Sequence, residues 1–343
     1  MAIDKKKDTS TSGLILEIQR MSTEDGPGLR TTVFFKGCSL KCTWCHNPES
    51  IHAKPEIQWV GSRCIGCRTC IESCPNEALS LKSDGIHIDR SSCNRCGICV
   101  DECPSTAMEI LGQTWQLDDL IHELVKDQVY FQKSGGGVTV SGGEPTLQAS
   151  FTAALLKRLK TNGIETALDT CGLCPQQYLD MILPYADLVL FDLKTIDPKH
   201  HQTLTGSGNQ KILDNLIHIA RLMDRHGYPG SLWIRTPIIP GATDTAENIS
   251  AIGKWVADHL GRLVDRWELC AFNNLCKDKY ARLDIAWPFS NTDLLEKVHI
   301  EGLADTAKKS GVNPGIIFWS GSTKIEKDTS DHPKQASELR LVT

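Results

Sequence analysis

No stretch of this sequence approaches the roughly 20 consecutive apolar residues that a membrane-spanning helix needs, so nothing in it points to a bilayer. The amino terminus, MAIDKKKDTSTS, carries charge but no apolar run behind it, which argues against a secretory leader. An excess of positive charge is also missing. Lys and Arg number 37 against 42 Asp and Glu, a net of −5, and that balance offers no electrostatic grip on nucleic acid or an anionic membrane surface. What remains is the profile of an ordinary globular, cytoplasmic protein. Its 343 residues, 40% hydrophobic and 23% charged, suffice for one large domain or two smaller ones with an ample core.

Cysteine breaks that ordinariness. There are fifteen, and without an export signal the default reading is metal binding, not disulfide pairing. Eleven of the fifteen fall between Cys38 and Cys103, which divides the chain into three parts between polar tails at 1–12 and 324–343. The first part, 13–50, holds a strand-like segment from Leu14 to Gln19 and a β-rich run from Thr31 to Phe35 that leads into Cys38. The second, 51–112, is a compact cysteine-rich insert. In the third, 113–323, helical and strand patterns alternate.

Helical patterns run from Gln116 to Gln132, Leu147 to Asn162, Gln176 to Leu183, Gln210 to His226, Ala246 to His259 and Asp293 to Lys309. Between them lie the apolar runs VTVS, ETALDT, DLVLFDL, LWIRTPII, RWELCAF and GIIFWS. Short strands alternating with longer helices imply parallel βα units, an α/β fold. Several runs end in polar or glycine-rich residues, SGGE, DTCG and DLK, and the C-terminal ends of barrel strands are where sites form.

Cys38, Cys42 and Cys45 form C-x3-C-x2-C in GCSLKCTWCHNP. Three soft thiolates so close together suit one face of a four-iron cluster and leave one iron open to a substrate. A zinc site borrowing His46 is the alternative. Further on, Cys64, Cys67, Cys70 and Cys74 with Pro75 spell C-x2-C-x2-C-x3-C-P, and Cys93, Cys96, Cys99 and Cys103 with Pro104 repeat it 29 residues later. This is the run of bacterial two-cluster ferredoxins, in which the fourth cysteine serves the other cluster. On that rule Cys64, Cys67, Cys70 and Cys103 hold one cluster, and Cys93, Cys96, Cys99 and Cys74 the other. Two zinc knuckles are the alternative, but the repeated Cys-Pro endings suit clusters better. Four thiolates leave no iron open, which points to electron transfer.

The triplet matches the signature of the radical S-adenosylmethionine superfamily cysteine for cysteine. With DGPGLRTTVFFKGCSLKCTWCHNPES, the twin-cluster insert, YFQKSGGGVTVSGGEPTLQ and DLVLFDLK, the sequence most resembles the activating enzymes of glycyl radical enzymes, over roughly 13–323. The resemblance implies a partial (β/α)6 TIM-like barrel with the ferredoxin-like domain inserted after the first βα loop. It implies three [4Fe-4S] clusters and S-adenosylmethionine as cofactors, a glycyl radical enzyme as protein substrate, and reduced flavodoxin or ferredoxin as electron donor. S-adenosylmethionine is then cleaved to methionine and a 5′-deoxyadenosyl radical, which takes a Cα hydrogen from a glycine of the partner.

By the same resemblance Gly142, Gly143 and Glu144 meet the methionyl ammonium, a role for carbonyls and a carboxylate. Asp192 and Lys194 contact the ammonium and carboxylate of the cofactor, with Arg235 a further candidate for the carboxylate. Trp44 and His46, flanking Cys45, approach the adenine. Asp25 and Gly28 shape the edge where the partner's glycine loop arrives. The sequence departs from the pattern at ELCAFNNLCKDKY, where Asn273 replaces a histidine of many relatives; asparagine can donate and accept but does not titrate. The spare cysteines, Cys171, Cys174, Cys270 and Cys276, read as buried small hydrophobes, although Cys171 and Cys174 have the spacing of a redox pair. A maturase acting on another peptide and a pure electron carrier are the rival readings.

Overall fold

Seven strands of the chain lie side by side and parallel, in the order in which they occur in the sequence. The structure, a computed structural model, describes residues 11–324. The expected tails therefore fall largely outside the described residues; Ser12 opens the first strand, and the Lys324 N–H donates to Leu295.

The strands are β1 (Ser12–Ser22), β2 (Arg30–Phe35), β3 (Glu56–Trp59), β4 (Leu79–Lys82), β5 (Gly85–Ile88), β6 (Met108–Leu111), β7 (Gln113–Gln116), β8 (Gly137–Gly142), β9 (Glu165–Thr170), β10 (Leu188–Asp192), β11 (Ser231–Ile238), β12 (Arg266–Ala271) and β13 (Ile317–Ser320). The main sheet runs β7-β1-β2-β8-β9-β10-β11-β12-β13, with β1 antiparallel to both neighbours. Its parallel part counts seven strands where a six-unit barrel was expected: GIIFWS adds β13 beyond β12. The sheet is open, since β7 and β13 stand at its two edges.

Consecutive parallel strands joined by same-handed crossovers place their helices on one face. Strand alternation confirms the division. Val33, Phe35, Val138, Val140, Leu168, Val189, Phe191, Ile234 and Leu269 belong to the main core beneath the helices. The residues between them point to the other, concave face: Thr32, Thr139, Ser141, Asp169, Asp192 and Arg235, with Ala167, Leu188, Leu190 and Trp233 as a small apolar floor. Across the mouth of that floor Arg30 is fully buried, held by Thr139, the Val138 carbonyl and Glu165.

Two helices match their expected limits, Gln210–His226 and Ala246–His259. The pattern from Gln116 to Gln132 is two helices, Leu117–Val125 and Gln128–Ser134, because the Asp127 carboxylate between them is committed to Arg20 and Thr31. Lys297–Lys308 starts four residues later than expected, and Pro198–Thr205 and Lys277–Arg282 are additional helices.

Residues 56–111 form a separate unit with two small antiparallel sheets, β3 with β6 and β4 with β5. Its core is its own: Ile57, Cys70, Leu79, Ile88, Cys99 and Met108. The duplication read in the sequence recurs in the backbone. Left-handed residues fall at Gly66 and Arg95, Arg68 and Gly97, and Glu77 and Thr106, each pair 29 positions apart. No helix among the described residues is long and apolar enough to cross a membrane.

Candidate functional site

The Cys38 loop leaves the C-terminal end of β2 and is tied down on every side. Gly37 and Cys38 donate to the carbonyls of Ser50 and Ile51 at 2.6 and 3.0 Å, and Lys41 and Thr43 to those of Thr205 and Leu204 at 2.8 and 3.0 Å. From the far edge of the sheet, Tyr280 Oη donates to the Cys45 carbonyl at 2.9 Å, and Lys279 reaches Asn47 and Glu49. Burial pushes the Cys42 thiol up to about 11 and the Cys45 thiol higher still. None of the fifteen cysteines is in a disulfide. Among the described residues no three His, Cys, Asp or Glu side chains converge on a single-ion site.

Gly142, Gly143 and Glu144 end the neighbouring strand and press directly on this loop. A Cβ on Gly143 would stand 2.1 Å from the Gly37 carbonyl oxygen, and Gly142 has φ +99° with Phe35 backbone 2.5 Å from where its Cβ would be. Only glycine permits backbone contact this close. The Glu144 carboxylate, however, does not face the open side. It is fully buried and accepts from Thr146 N–H and Oγ1, Thr170 Oγ1 and Cys171 N–H at 2.7–3.0 Å. All four of these bonds are internal to the protein, and Oε2 accepts only the one from Cys171.

Asp192 and Lys194 form an ion pair of 2.7 Å at the end of β10, with Lys194 buried and Asp192 half open. Burial works against the Lys194 charge, but Asp192 and the neighbouring thiols outweigh it and hold the amine's pKa above its usual range. Beside them lies a residue that sequence reasoning missed. Asp169, at the end of β9, accepts from Ser141 at 2.6 Å and stands 3.7 Å from Arg235. Burial pushes its carboxyl up to about 7, only partly countered by Arg235. Its signal was the strand ending DTCG, noted as a polar end without assignment to a role.

The Trp44 ring is buried in a satellite core with Ile239, Ala242, Phe272, Tyr280 and Trp287, which braces the cysteine loop. His46 lies at the edge of the same cluster, its ring 6.2 Å from that of Phe272 and its pKa lowered by burial. Asn273 spends its side-chain oxygen on the Leu275 N–H, while its backbone meets His46. Asp25 accepts from Ser22 and Thr32 on the concave face, and Gly28 lies against the Gly136 backbone. Cys171 and Cys174 are both buried, Cys171 lying 3.6 Å from Ser39 Oγ.

Three buried polar atoms around this face have no partner: Thr43 Oγ1, His46 Nε2 and Arg235 Nε. Such orphans are uncommon in a folded chain, and here they suit a polar ligand at the strand ends.

In the insert, a cavity of about 210 Å³ is lined by Cys64, Cys67, Cys70 and Cys103. A second, narrower one is lined by Cys74, Cys93, Cys96 and Cys99. Each thus gathers three cysteines of one repeat and the last cysteine of the other.

The radical SAM superfamily model matches residues 32–250. The (2S)-3-sulfopropanediol dehydratase activating enzyme of Klebsiella oxytoca is 35% identical over 89% of this chain and 96% of its own. The trans-4-hydroxy-L-proline dehydratase activating enzyme of Clostridioides difficile is 39% identical over 79% and 87%. The chain belongs to the radical SAM activating enzymes of glycyl radical enzymes. A third member, the benzylsuccinate synthase activating enzyme of Thauera aromatica, is 37% identical over 87% of this chain and 91% of its own. A solved radical SAM methyltransferase from Sphaerobacter thermophilus shares the fold of this activating enzyme, with a TM-score of 0.51 over 90% of this chain and 78% of its own at 12% identity.

Proposed function

We propose that this activating enzyme installs a glycine-centred radical on a partner enzyme, and that it does so with three four-iron clusters. The observation that carries the reading is the three-cysteine loop at the end of β2, locked against Gly142 and Gly143 beside a row of charged strand ends. Cys38, Cys42 and Cys45 would hold one cluster, leaving an iron for S-adenosylmethionine. When bound, that pair supplies a one-electron reductive cleavage to methionine and a 5′-deoxyadenosyl radical, which abstracts the Cα hydrogen.

The chain's own residues bind and orient. Backbone carbonyls of Gly142 and Gly143 and the open oxygen of Asp192 offer acceptors for the methionyl ammonium, and Lys194 and Arg235 offer positive charge for its carboxylate. Asp169, sharing Arg235, sets how much of that charge is free. His46 Nε2 is available to a base or ribose. No side chain has to act as general acid or base.

The four-cysteine cavities support a ferredoxin-like domain at 51–112, inserted between the first part of the barrel, 13–50, and the remainder, 113–323. Their cysteines would hold two electron-relay clusters, fed by an external carrier such as a reduced flavodoxin or ferredoxin.

The test is anaerobic reconstitution. About 12 iron per chain is expected. Replacing Cys38, Cys42 and Cys45 together by alanine should remove a third of it and all formation of 5′-deoxyadenosine. With a partner glycyl radical enzyme present, a glycine doublet should appear by electron paramagnetic resonance, and oxygen should then cut the partner at that glycine. Continued 5′-deoxyadenosine formation by the triple variant, or modification of a peptide side chain instead, would refute the reading.

A further inference from the structure

The two halves of the cysteine-rich insert are copies in sequence but not in surroundings. The β3–β6 ribbon is tied to the barrel at its Glu56–Leu111 end. Glu56 pairs with the buried Lys36 at 2.9 Å, and Gly112, just beyond β6, packs on the Lys36 side chain, where a Cβ would stand 2.4 Å from Cδ. The cavity of Cys74, Cys93, Cys96 and Cys99 is lined by Ile57, near that end. Arg90, three residues before Cys93, donates to the Ile57 carbonyl and to the carbonyl of Arg282, in the helix whose Tyr280 holds the Cys45 loop. Arg95 is close enough to Lys36 to lower its pKa, a smaller effect than burial itself. The cavity of Cys64, Cys67, Cys70 and Cys103 is lined instead by Trp59, Gly61 and Met108, at the Trp59–Met108 end of the ribbon.

The Trp59–Met108 end also carries a different surface. Cys67 is exposed, as its counterpart Cys96 is, but here Ile65 beside it is 69% exposed and Leu81, on the cavity wall, is 50% exposed. The one charged residue lining this cavity is Arg68, itself exposed. At the corresponding positions, 29 residues later, stand Asn94, Ile110 and Gly97, which supply neither the exposed apolar pair nor the charge. The cavity of Cys74, Cys93, Cys96 and Cys99 has no charged residue in its lining. A small acidic protein that carries single electrons is the partner such a patch fits: charge guides the approach, and apolar contact around the thiolate edge closes the distance.

We propose that electrons arrive at the Cys64, Cys67, Cys70 and Cys103 site from an acidic carrier protein docked on Ile65, Arg68 and Leu81, and pass inward by way of the Cys74, Cys93, Cys96 and Cys99 site. The proposal rests on the three-cluster reading above. In each transfer one electron leaves the reduced carrier, which is oxidised, and arrives at the group held by the outer four cysteines, which is reduced; no bond or proton changes place.

The experiment mixes reduced flavodoxin, the probe, with the reconstituted protein and follows bleaching of the iron–sulfur absorbance in a stopped flow, without S-adenosylmethionine or partner. Arg68→Glu and Ile65→Asp should each slow the bimolecular phase about tenfold, and the Arg68→Glu variant should lose the salt dependence of the rate. Ile98→Asp, on the exposed face of the inner half, and Val298→Asp, on an outer helix, should stay within twofold. Iron content and the extent of bleaching by dithionite are measured on the same samples. With about 12 iron present in every variant, unchanged rates for Arg68→Glu and Ile65→Asp, or an equal loss in Ile98→Asp, would overturn the proposal alone. A wild-type protein that takes up about 4 iron overturns the three-cluster reading beneath it.

Discussion

Replacing Glu144 by glutamine separates two accounts of the same residue. If its carboxylate met the methionyl ammonium, as its place in GGE suggests, the variant would lose ligand affinity and keep its stability. The structure requires the reverse. Oε1 accepts from Thr146 N–H, Thr146 Oγ1 and Thr170 Oγ1 at 3.0, 2.7 and 2.8 Å, and Oε2 from the Cys171 N–H at 2.8 Å. The amide of glutamine can present its oxygen to the first three donors, but its NH2 then faces the Cys171 N–H. One hydrogen bond to a charged acceptor, worth about 1.5–3 kcal/mol, becomes a donor–donor contact, and three others weaken as the charge goes.

Together these changes cost about 2–4 kcal/mol. With an unfolding entropy of ~2.1 cal/mol/K per residue, that lowers the melting midpoint by about 3–6 °C. The assay is anaerobic thermal unfolding at one fixed scan rate, with iron content checked and S-adenosylmethionine affinity measured by calorimetry on the folded protein at 20 °C below the midpoint, roughly. Affinity should stay within about threefold, because the backbone of Gly142 and Gly143 keeps its contacts with Gly37 and Phe35. An unchanged midpoint with affinity weakened tenfold or more would refute the inward orientation of this carboxylate.

Three other outcomes are expected. Asp169 should titrate near pH 7, visible as a protonated-carboxyl infrared band that fades between about pH 6 and 8 and is absent from Asp169→Asn. Its folded pKa lies above the unfolded value of about 4, so its contribution to stability is complete below about pH 4 and is lost as pH rises through 7; a carboxyl titrating near 4 would contradict the burial described. Gly143→Ala should displace the Cys38 loop, since its Cβ would lie 2.1 Å from the Gly37 oxygen, and iron at the barrel site should fall while iron in the insert stays. Full iron with normal S-adenosylmethionine affinity would count against that backbone contact. Cys103→Ser should disturb the electron paramagnetic resonance of the site shared with Cys64, Cys67 and Cys70, and leave that of Cys93, Cys96 and Cys99 intact; the opposite pattern would exchange the two fourth ligands.

What could be read from the sequence was whatever depends on neighbours along the chain. The helix Ala246–His259 is amphipathic and begins at Thr245, whose hydroxyl caps the Asn248 N–H; Gln210–His226 ends at Gly227 in the left-handed conformation. Both signals are local, and both limits were legible. The cysteine spacing is local as well, and the chemistry of three thiolates follows from it before any fold is known. The break at Asp127 was not legible, because Arg20 and Thr31, 107 and 96 positions away, are what hold that residue. The same reason hid the direction of the Glu144 carboxylate, set by Thr170 and Cys171 on the next strand, and the burial of Trp44, set by Phe272, Tyr280 and Trp287 from the far edge of the sheet. Asp169 illustrates both sides: the strand end is visible in ETALDT, but the arginine beside it comes from β11. A motif names the atoms that a site contains, whereas long-range packing decides which of those atoms face the ligand. In the barrel, the packing buries Trp44 and turns the Glu144 carboxylate onto Thr170 and Cys171, and it sets Asp169 beside Arg235. The insert shows the same logic at the scale of a domain: two copies of one motif come to stand in different surroundings, because the ribbon between them meets Lys36 at its Glu56 end.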